Sequence, residues 1–457
     1  MKPNNRRSDN FMTKLLSIVL PIAFQQFMLA LVSAIDALML GKLTQDSLSA
    51  VSLASQVVFV ESLILTAMTI GLSIFAAQYW GKNDVAAVER IFAYVMKITA
   101  SVSMLFFAAA LFVPRLLMRI FTNEPVLIDS GAVYLHTVSL SFILSGVSQI
   151  YLCILKNTGR AAKASLISSC GVIINILLNA LLIFGLLGLP RLGIAGAALA
   201  TVITQIIETL WCVFATLKKN SVKLRLSCLL HDDKRLRGDF WKYTTPVLGN
   251  EIVWGVGFTM YSVILGHLGT DAVAANSISG IVKNLASCFC IGLGSGAGII
   301  VGNELGAGNP ERAKEYGNRL CRLSVISGAA SGAVLLIISP LIFAMTDLSD
   351  AANHYLKYMI VMCACYMVGK SVNSMTIGGI FCAGGDSKFG FLCDTVTMWC
   401  ITVPLGMFAA FVLKLPVPAV YLIVNFDEMI KLPAVYRHYK KYKWVKNLTV
   451  KGEMQNE

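Results

Sequence analysis

The chain begins with a short polar and basic stretch, MKPNNRRSDNFMTK, and then enters a long run of mostly Leu, Ile, Phe, Ala and Met. The same alternation of polar break and apolar run recurs to near the C-terminus. Apolar runs fall at 14–40, 50–80, 92–115, 128–156, 163–188, 193–216, 240–266, 275–303, 319–345, 352–382, 388–412 and 415–436. Crossing the hydrocarbon as a helix takes roughly 20 apolar residues, and these runs are continuous rather than alternating like barrel strands. The pattern predicts an all-α polytopic membrane protein of twelve transmembrane helices. The first run is too long for a signal-peptide core and has no small-residue cleavage site, so it is read as a retained first span.

Composition agrees, with 56% hydrophobic and 14% charged residues, against roughly 25% charged in soluble domains. The net charge of +13 is sorted by loop, which speaks for orientation in a membrane and against nucleic acid as a partner. Lys2, Arg6, Arg7 and Lys14 precede the first span, and most other Lys and Arg lie in even-numbered loops or the C-tail. Only Lys42, Arg115, Arg119, Arg191, Lys357 and Lys414 fall in odd-numbered loops. The positive-inside rule then puts both termini in the cytoplasm of a cell-membrane protein with an even number of spans. The twelve cysteines lie mostly inside apolar runs without metal-ligand spacing and read as small buried apolar groups. A metal-binding His cluster, a GxSxG and a paired acid motif are all missing, so an enzyme is not expected.

The longest polar break, KKNSVKLRLSCLLHDDKRLRGDFWK at 218–242, divides the chain. We read an N-lobe at 1–216, a cytoplasmic linker at 217–239, a C-lobe at 240–436 and a cytoplasmic tail at 437–457. Pro21 to Asp84 aligns without a gap on Pro246 to Asn309, pairing Leu40-Gly41 with Leu265-Gly266, Gly71 with Gly296 and Gly81 with Gly306. Six spans per half make these parallel repeats, the architecture of alternating-access transporters.

Charges inside the spans are functional candidates by default. They are Asp36, Glu61, Lys97, Glu208, Glu251, Lys283, Lys370, Asp394, Asp427 and Glu428. Lys97 lies near a cytoplasmic end and can snorkel. Asp427 and Glu428, with Lys431 in VNFDEMIK, approach the cytoplasmic end of span twelve, where a solvated or mutually paired face competes with a coupling role. Asp36 lies about 7 Å inside the outer end of span one. Its repeat counterpart is Tyr261, whereas Glu251 corresponds to Gln26 and sits nearer the midplane. Lys283, Lys370, Asn373 and Asp394 are the polar groups available to Glu251, either as a pair that re-forms between states or as a static neutralising one.

The segments PIAFQQFMLALVSAIDALMLGKLTQDSLSAVSLA, GLSIFAAQYWGKND, NILLNALLIFG and LPRLGIAGAALAT, with GTDAVAANSISG, GAGIIVGNELGAGNPERAKE and GGIFCAGGDSKFG later, resemble the multidrug and toxic compound extrusion (MATE) family. The resemblance implies two pseudo-symmetric six-helix lobes of the MOP superfamily fold, and export of amphipathic or cationic compounds by antiport of H⁺ or Na⁺. It also implies no cofactor beyond that ion, and a monomer whose partners are small-molecule drugs, organic cations and the lipid bilayer. Pro21 and Asp36 match the family's bent first helix and its acid, and Tyr134, Asn175, Ala197 and Thr201 resemble that acid's neighbours. Several members carry a second acid where this chain has Asn179. Asp36, Asn175, Asn179 and Thr201 offer oxygen ligands suited in principle to Na⁺, while the single carboxylate leans toward protons. Glu251 resembles the helix-seven acid of other branches, whose tenth-helix acid is replaced here by Asn373 or Ser371, with Lys370 one turn away. A lipid-linked oligosaccharide flippase of the same superfamily is the alternative, disfavoured by having only Lys97, Lys283 and Lys370 as in-span cations.

Overall fold

The computed structural model describes residues 9–42, 45–188, 190–217, 221–230, 233–346 and 348–450, and every regular element among them is helical. A helix satisfies its backbone N–H and C=O groups within its own segment, which hydrocarbon demands. Eleven helices are long and apolar enough to cross a bilayer. They are α1 (Asp9–Gly41), α2 (Gln45–Gly81), α3 (Val85–Phe112), α4 (Pro125–Asn157), α5 (Ala161–Phe184), α6 (Gly193–Thr216), α7 (Lys234–Gly266), α8 (Thr270–Gly306), α9 (Pro310–Met345), α10 (Asp350–Phe381) and α11 (Ser387–Val412).

The twelfth apolar run is not one helix. It forms α12 (Val417–Val424) and α13 (Asp427–Lys440), with Asn425 and Phe426 between them. The Asn425 amide donates to the Tyr421 carbonyl at 3.0 Å, a local side-chain bond of the kind that competes with helix propagation. Further widening occurs in α10 and α11, which turn π-helical over Ser374–Phe381 and over Val396–Thr402 and Phe408–Val412.

The chain divides into two compact units. One comprises the described residues of Met1–Phe27, Ser73–Asn83 and Phe240–Glu457; the other comprises those of Met28–Leu72 and Asp84–Asp239. Helices α1 and α2 therefore each contribute to both.

The internal repeat is reproduced in the helices themselves. α1 and α7 have 33 residues each, α2 and α8 have 37 each, and both ends of each pair keep one constant offset. Within the first unit the ends of α2 and α8 meet closely. A Cβ on Gly81 would stand 2.0 Å from the Asn303 carbonyl oxygen, and one on Gly306 would stand 1.9 Å from that of Gln78. Gln78 and Asn303 are themselves repeat equivalents, so each repeat makes the same backbone contact on the other. Only residues without a side chain permit helices so close.

That symmetry ends at Gln78, whose side chain is completely buried. Its amide donates to the carbonyls of Ala383 at 2.7 Å and Lys446 at 3.1 Å, and its oxygen accepts from the Leu448 N–H at 2.7 Å. Lys82 donates to the Thr449 carbonyl at 2.9 Å, and Trp444 is fully buried with its indole N–H on the Tyr439 carbonyl. Residues 444–449 of the segment expected as a tail are thus folded against the end of α2 and the turn that follows α10. The linker is also anchored: buried Glu89 at the start of α3 accepts from Arg225 at 2.6 Å and from the Lys223 N–H at 3.2 Å. A short helix, Leu226–Leu230, and the first residues of α7 occupy most of the rest. The N-tail cations Lys2, Arg6 and Arg7, linker positions 218–220 and 231–232, and tail positions 451–457 lie outside the described residues.

Gly306→Ala is expected to lower the thermal unfolding midpoint in detergent, since overpacking against backbone costs about 1–3 kcal/mol. Gly280→Ala is the control, because nothing stands within 4 Å of its added Cβ. Gln78→Leu removes three hydrogen bonds of about 1 kcal/mol each. Hydrogen–deuterium exchange across 444–450 should then quicken severalfold while exchange in α3 and α4 stays as it was.

Candidate functional site

Two polar clusters stand inside the apolar spans, one in each compact unit. In the unit of Met28–Leu72 and Asp84–Asp239, Asp36 sits half-buried near the end of α1. The Asn179 amide on α5 donates to Asp36 Oδ1 at 2.7 Å and to Asn175 Oδ1, one turn back on the same helix, at 3.0 Å. An amide thus donates where a second carboxylate would repel. Asn175 and Asn179 are buried, and Asn179 Oδ1 has no hydrogen-bond partner among the described residues.

Tyr134 packs beside Leu40, Val51, Ile183 and Ala197, with its hydroxyl in electrostatic reach of Asp36. The Thr201 hydroxyl donates to the Ala197 carbonyl at 3.1 Å, which leaves its lone pairs free. The structure therefore joins Asp36, Asn179 and Asn175 in one hydrogen-bonded chain and keeps Thr201 outside it. One carboxylate, an unpaired amide oxygen and a hydroxyl make an oxygen-only donor set, which suits a proton or a hard cation. Pro21, the expected bend, lies inside an unbroken α1 and leaves the Ser17 carbonyl without its usual helical donor. In the unit that holds Asp36, Glu61 is also buried and accepts from Ser103 at 2.9 Å, which ties α2 to α3.

The second cluster joins α10, α11 and α13. Lys431 is 2% exposed and lies 2.8 Å from Asp394, 3.4 Å from Glu428 and 3.5 Å from Asp427. Lys370 reaches Glu428 at 3.4 Å. The Asn373 amide donates at 2.7 Å both to Glu428 Oε2 and to the Glu428 carbonyl. A carboxylate does stand beside position 373, supplied from α13 rather than from α10. Glu251 lies within electrostatic reach of Lys370 and Asp394. Lys283 stands apart from these pairs and donates to Asn425 Oδ1 at 2.9 Å.

The largest gap in the sequence reading concerns Asp427, Glu428 and Lys431. The sequence reading set a solvated or mutually paired face against a coupling role; all three side chains are buried and Lys431 pairs with both acids, so the face is not a solvated one. Their i, i+3 and i, i+4 spacing was the available signal, but the break at Asn425 that turns them inward is hidden in an apolar run.

A helical membrane chain built from two equivalent halves, with ionisable groups paired inside its spans, is a transport protein by class. The family model MatE matches residues 21–181 and 246–408, and the chain belongs to that family of transporters. It is 22% identical over 432 residues to "Uncharacterized transporter YisQ" of Bacillus subtilis, covering 94% of each chain. It is 28% identical over 416 residues to "Multidrug resistance protein NorM" of Burkholderia vietnamiensis, covering 86% of this chain and 85% of the other. Among solved structures, a MATE protein in a straight conformation superposes with a TM-score of 0.86 at 15% identity, covering 94% of this chain and 96% of that one. These matches confirm the family resemblance and the membrane-spanning helical fold.

Lys431→Met would leave three buried carboxylates with too little positive charge. Removing one partner of a buried ion network costs about 3–5 kcal/mol. The variant should unfold at a clearly lower temperature than Lys370→Met in the same detergent, because Lys370 is 19% exposed and holds one carboxylate.

Proposed function

We propose that the chain exports amphipathic and cationic organic compounds across the cell membrane in exchange for inward H⁺ or Na⁺, with both termini in the cytoplasm. The lobes at 1–216 and 240–436, joined by 217–239, alternate between inward and outward access. The observation that carries the reading is Asp36, a carboxylate inside a span whose hydrogen-bonded neighbours are amides instead of cations. Such a group gains most from a proton or a cation, because nothing else neutralises it. The names of relatives such as NorM and PmpM, both described as multidrug resistance proteins, support the cargo class.

Ion arrival at Asp36 removes its charge and weakens its bond to Asn179, which frees the outer end of α1 from α5. Coupling requires only that ion and cargo bind the two access states with different affinity. A charge crossing the whole field gains about 2.3 kcal/mol per 100 mV of membrane potential. Asn175, Asn179, Tyr134 and Thr201 shape the ion's surroundings, while in the other lobe Glu251 stands within electrostatic reach of Lys370.

Asp36→Asn, assayed for ethidium efflux in energised vesicles and normalised to protein in the membrane, should lose about tenfold or more of its activity, within the usual range of coupling energies. Undiminished efflux would overturn the role of Asp36. Collapsing the proton gradient while clamping Na⁺, and then the reverse, names the ion; persistence of efflux in both arms would refute antiport.

A further inference from the structure

A cavity of about 510 Å³ opens among α9, α10 and α13, all within one compact unit. Its wall is apolar where Val325 of α9, Val368 and Val372 of α10, and Leu432 and Val435 of α13 meet. Its other end is polar, with Asn318 and Arg322 from α9 and Tyr439 and Lys440 from α13. The Tyr439 hydroxyl donates to Asn318 Oδ1 at 3.0 Å, which sets the end of α13 beside the early turns of α9. Along α9 the polar residues precede the apolar one, and along α13 they follow, so both helices put their cations at the same end.

The charge at that end is unbalanced, since none of the residues lining the cavity is acidic. Arg319 nearby is already 2.6 Å from Glu315, whereas Arg322 and Lys440 have no carboxylate within ion-pair distance among the described residues. Both are exposed, and the Lys440 ammonium lies 5.5 Å from the centre of the exposed Tyr436 ring. Asn318 spends its oxygen on Tyr439, and its amide N–H groups have no acceptor among the described residues. Guanidinium, ammonium and amide together form a donor set for phosphate oxygens, and arginine in particular grips phosphate through two parallel N–H groups.

The depth of the cavity points to the source of that phosphate. The apolar run of α9 begins at 319, so Arg322 stands about 5 Å past its start, where headgroups give way to hydrocarbon. The next turn carries the exposed apolar side chains Val325 and Ile326. Phosphate donors at headgroup depth, with an apolar trough leading away from them, match an anionic amphiphile better than a soluble anion.

We infer that this cavity binds one anionic phospholipid from the leaflet on the side where α9 begins and α13 ends, with its phosphate on Arg322 and Lys440 and an acyl chain along Val325, Val372 and Leu432. In the orientation proposed above this is the cytoplasmic leaflet, and basic pockets between helices on that side suit anionic headgroups. The site involves neither Asp36 nor the carboxylates around Lys431, so it goes beyond the export reading and does not depend on it.

The test adds phosphatidylglycerol, or phosphatidylcholine with the same acyl chains, to the full-length chain in a neutral detergent and reads the affinity of the first lipid adduct by native mass spectrometry. Phosphatidylglycerol should bind the wild-type chain about tenfold more tightly than phosphatidylcholine. Arg322→Gln combined with Lys440→Gln should lose about tenfold of that affinity, the usual worth of charge-assisted contacts. Lys388→Gln, which removes an exposed cation outside the cavity, should leave it unchanged. Equal binding of the two lipids, an unaltered affinity in the double variant, or an equal loss in Lys388→Gln would overturn the assignment. Displacement of the lipid by an equal concentration of inorganic phosphate would also overturn it, in favour of a site for a soluble anion.

Discussion

An ammonium enclosed by protein in the hydrocarbon of a membrane has to be met by negative charge, and at Lys431 that requirement organises the second half of the chain. Three carboxylates meet it, from α11 at Asp394 and from α13 at Asp427 and Glu428. Asp427 and Glu428 are in the first turn of α13, where the helix dipole favours acids, and that turn exists only because the helix restarts after Asn425. Were the twelfth run one continuous helix, these acids would lie in mid-helix without that dipole. α10 joins through Lys370 and Asn373, so one charge network fastens α10, α11 and α13. The π-helical stretches of α10 and α11 occur in these same helices, where regular winding is already disturbed.

The repeat was legible in the sequence because Pro and Gly record backbone geometry. Pro21 and Pro246 stand at equivalent places inside α1 and α7, Gly81 and Gly306 stand where an ordinary side chain would prevent a close approach, and the folded helices keep the same offset. Asp36 was legible for another reason: a lone acid in an apolar run has no bland neighbour to explain it. Its bond to Asn179, 143 positions away, is a tertiary fact that the family resemblance could suggest and local pattern could not. The break at Asn425 was illegible because VYLIVNFDEMI is apolar enough to pass for an uninterrupted span. Gln78 was illegible too, since one amide in AAQYWG gives no hint that three backbone groups of distant segments converge on it.

The two repeats share a frame and differ in their polar fittings. Gln78 holds the C-terminal segment, whereas its equivalent Asn303 has a buried amide oxygen with no partner among the described residues. Asp36 stands where the second repeat has Tyr261, which is packed in an apolar cluster with Ile264, Ala275 and Met398. Different side chains at equivalent places give the two halves different chemistry, which the proposed action of an ion on one half alone requires.

The charge balance of the two clusters argues for where a cation can act. Around Lys431 the acids are already answered by ammonium groups, and an entering cation would have to displace a lysine that cannot leave. Around Asp36 the neighbours are Asn179, Asn175, Tyr134 and Thr201, which can orient a cation or a proton but cannot replace one. On the proposed antiport, a reversible ion switch needs a site whose charge is unanswered when empty, and Asp36 is a group of that kind.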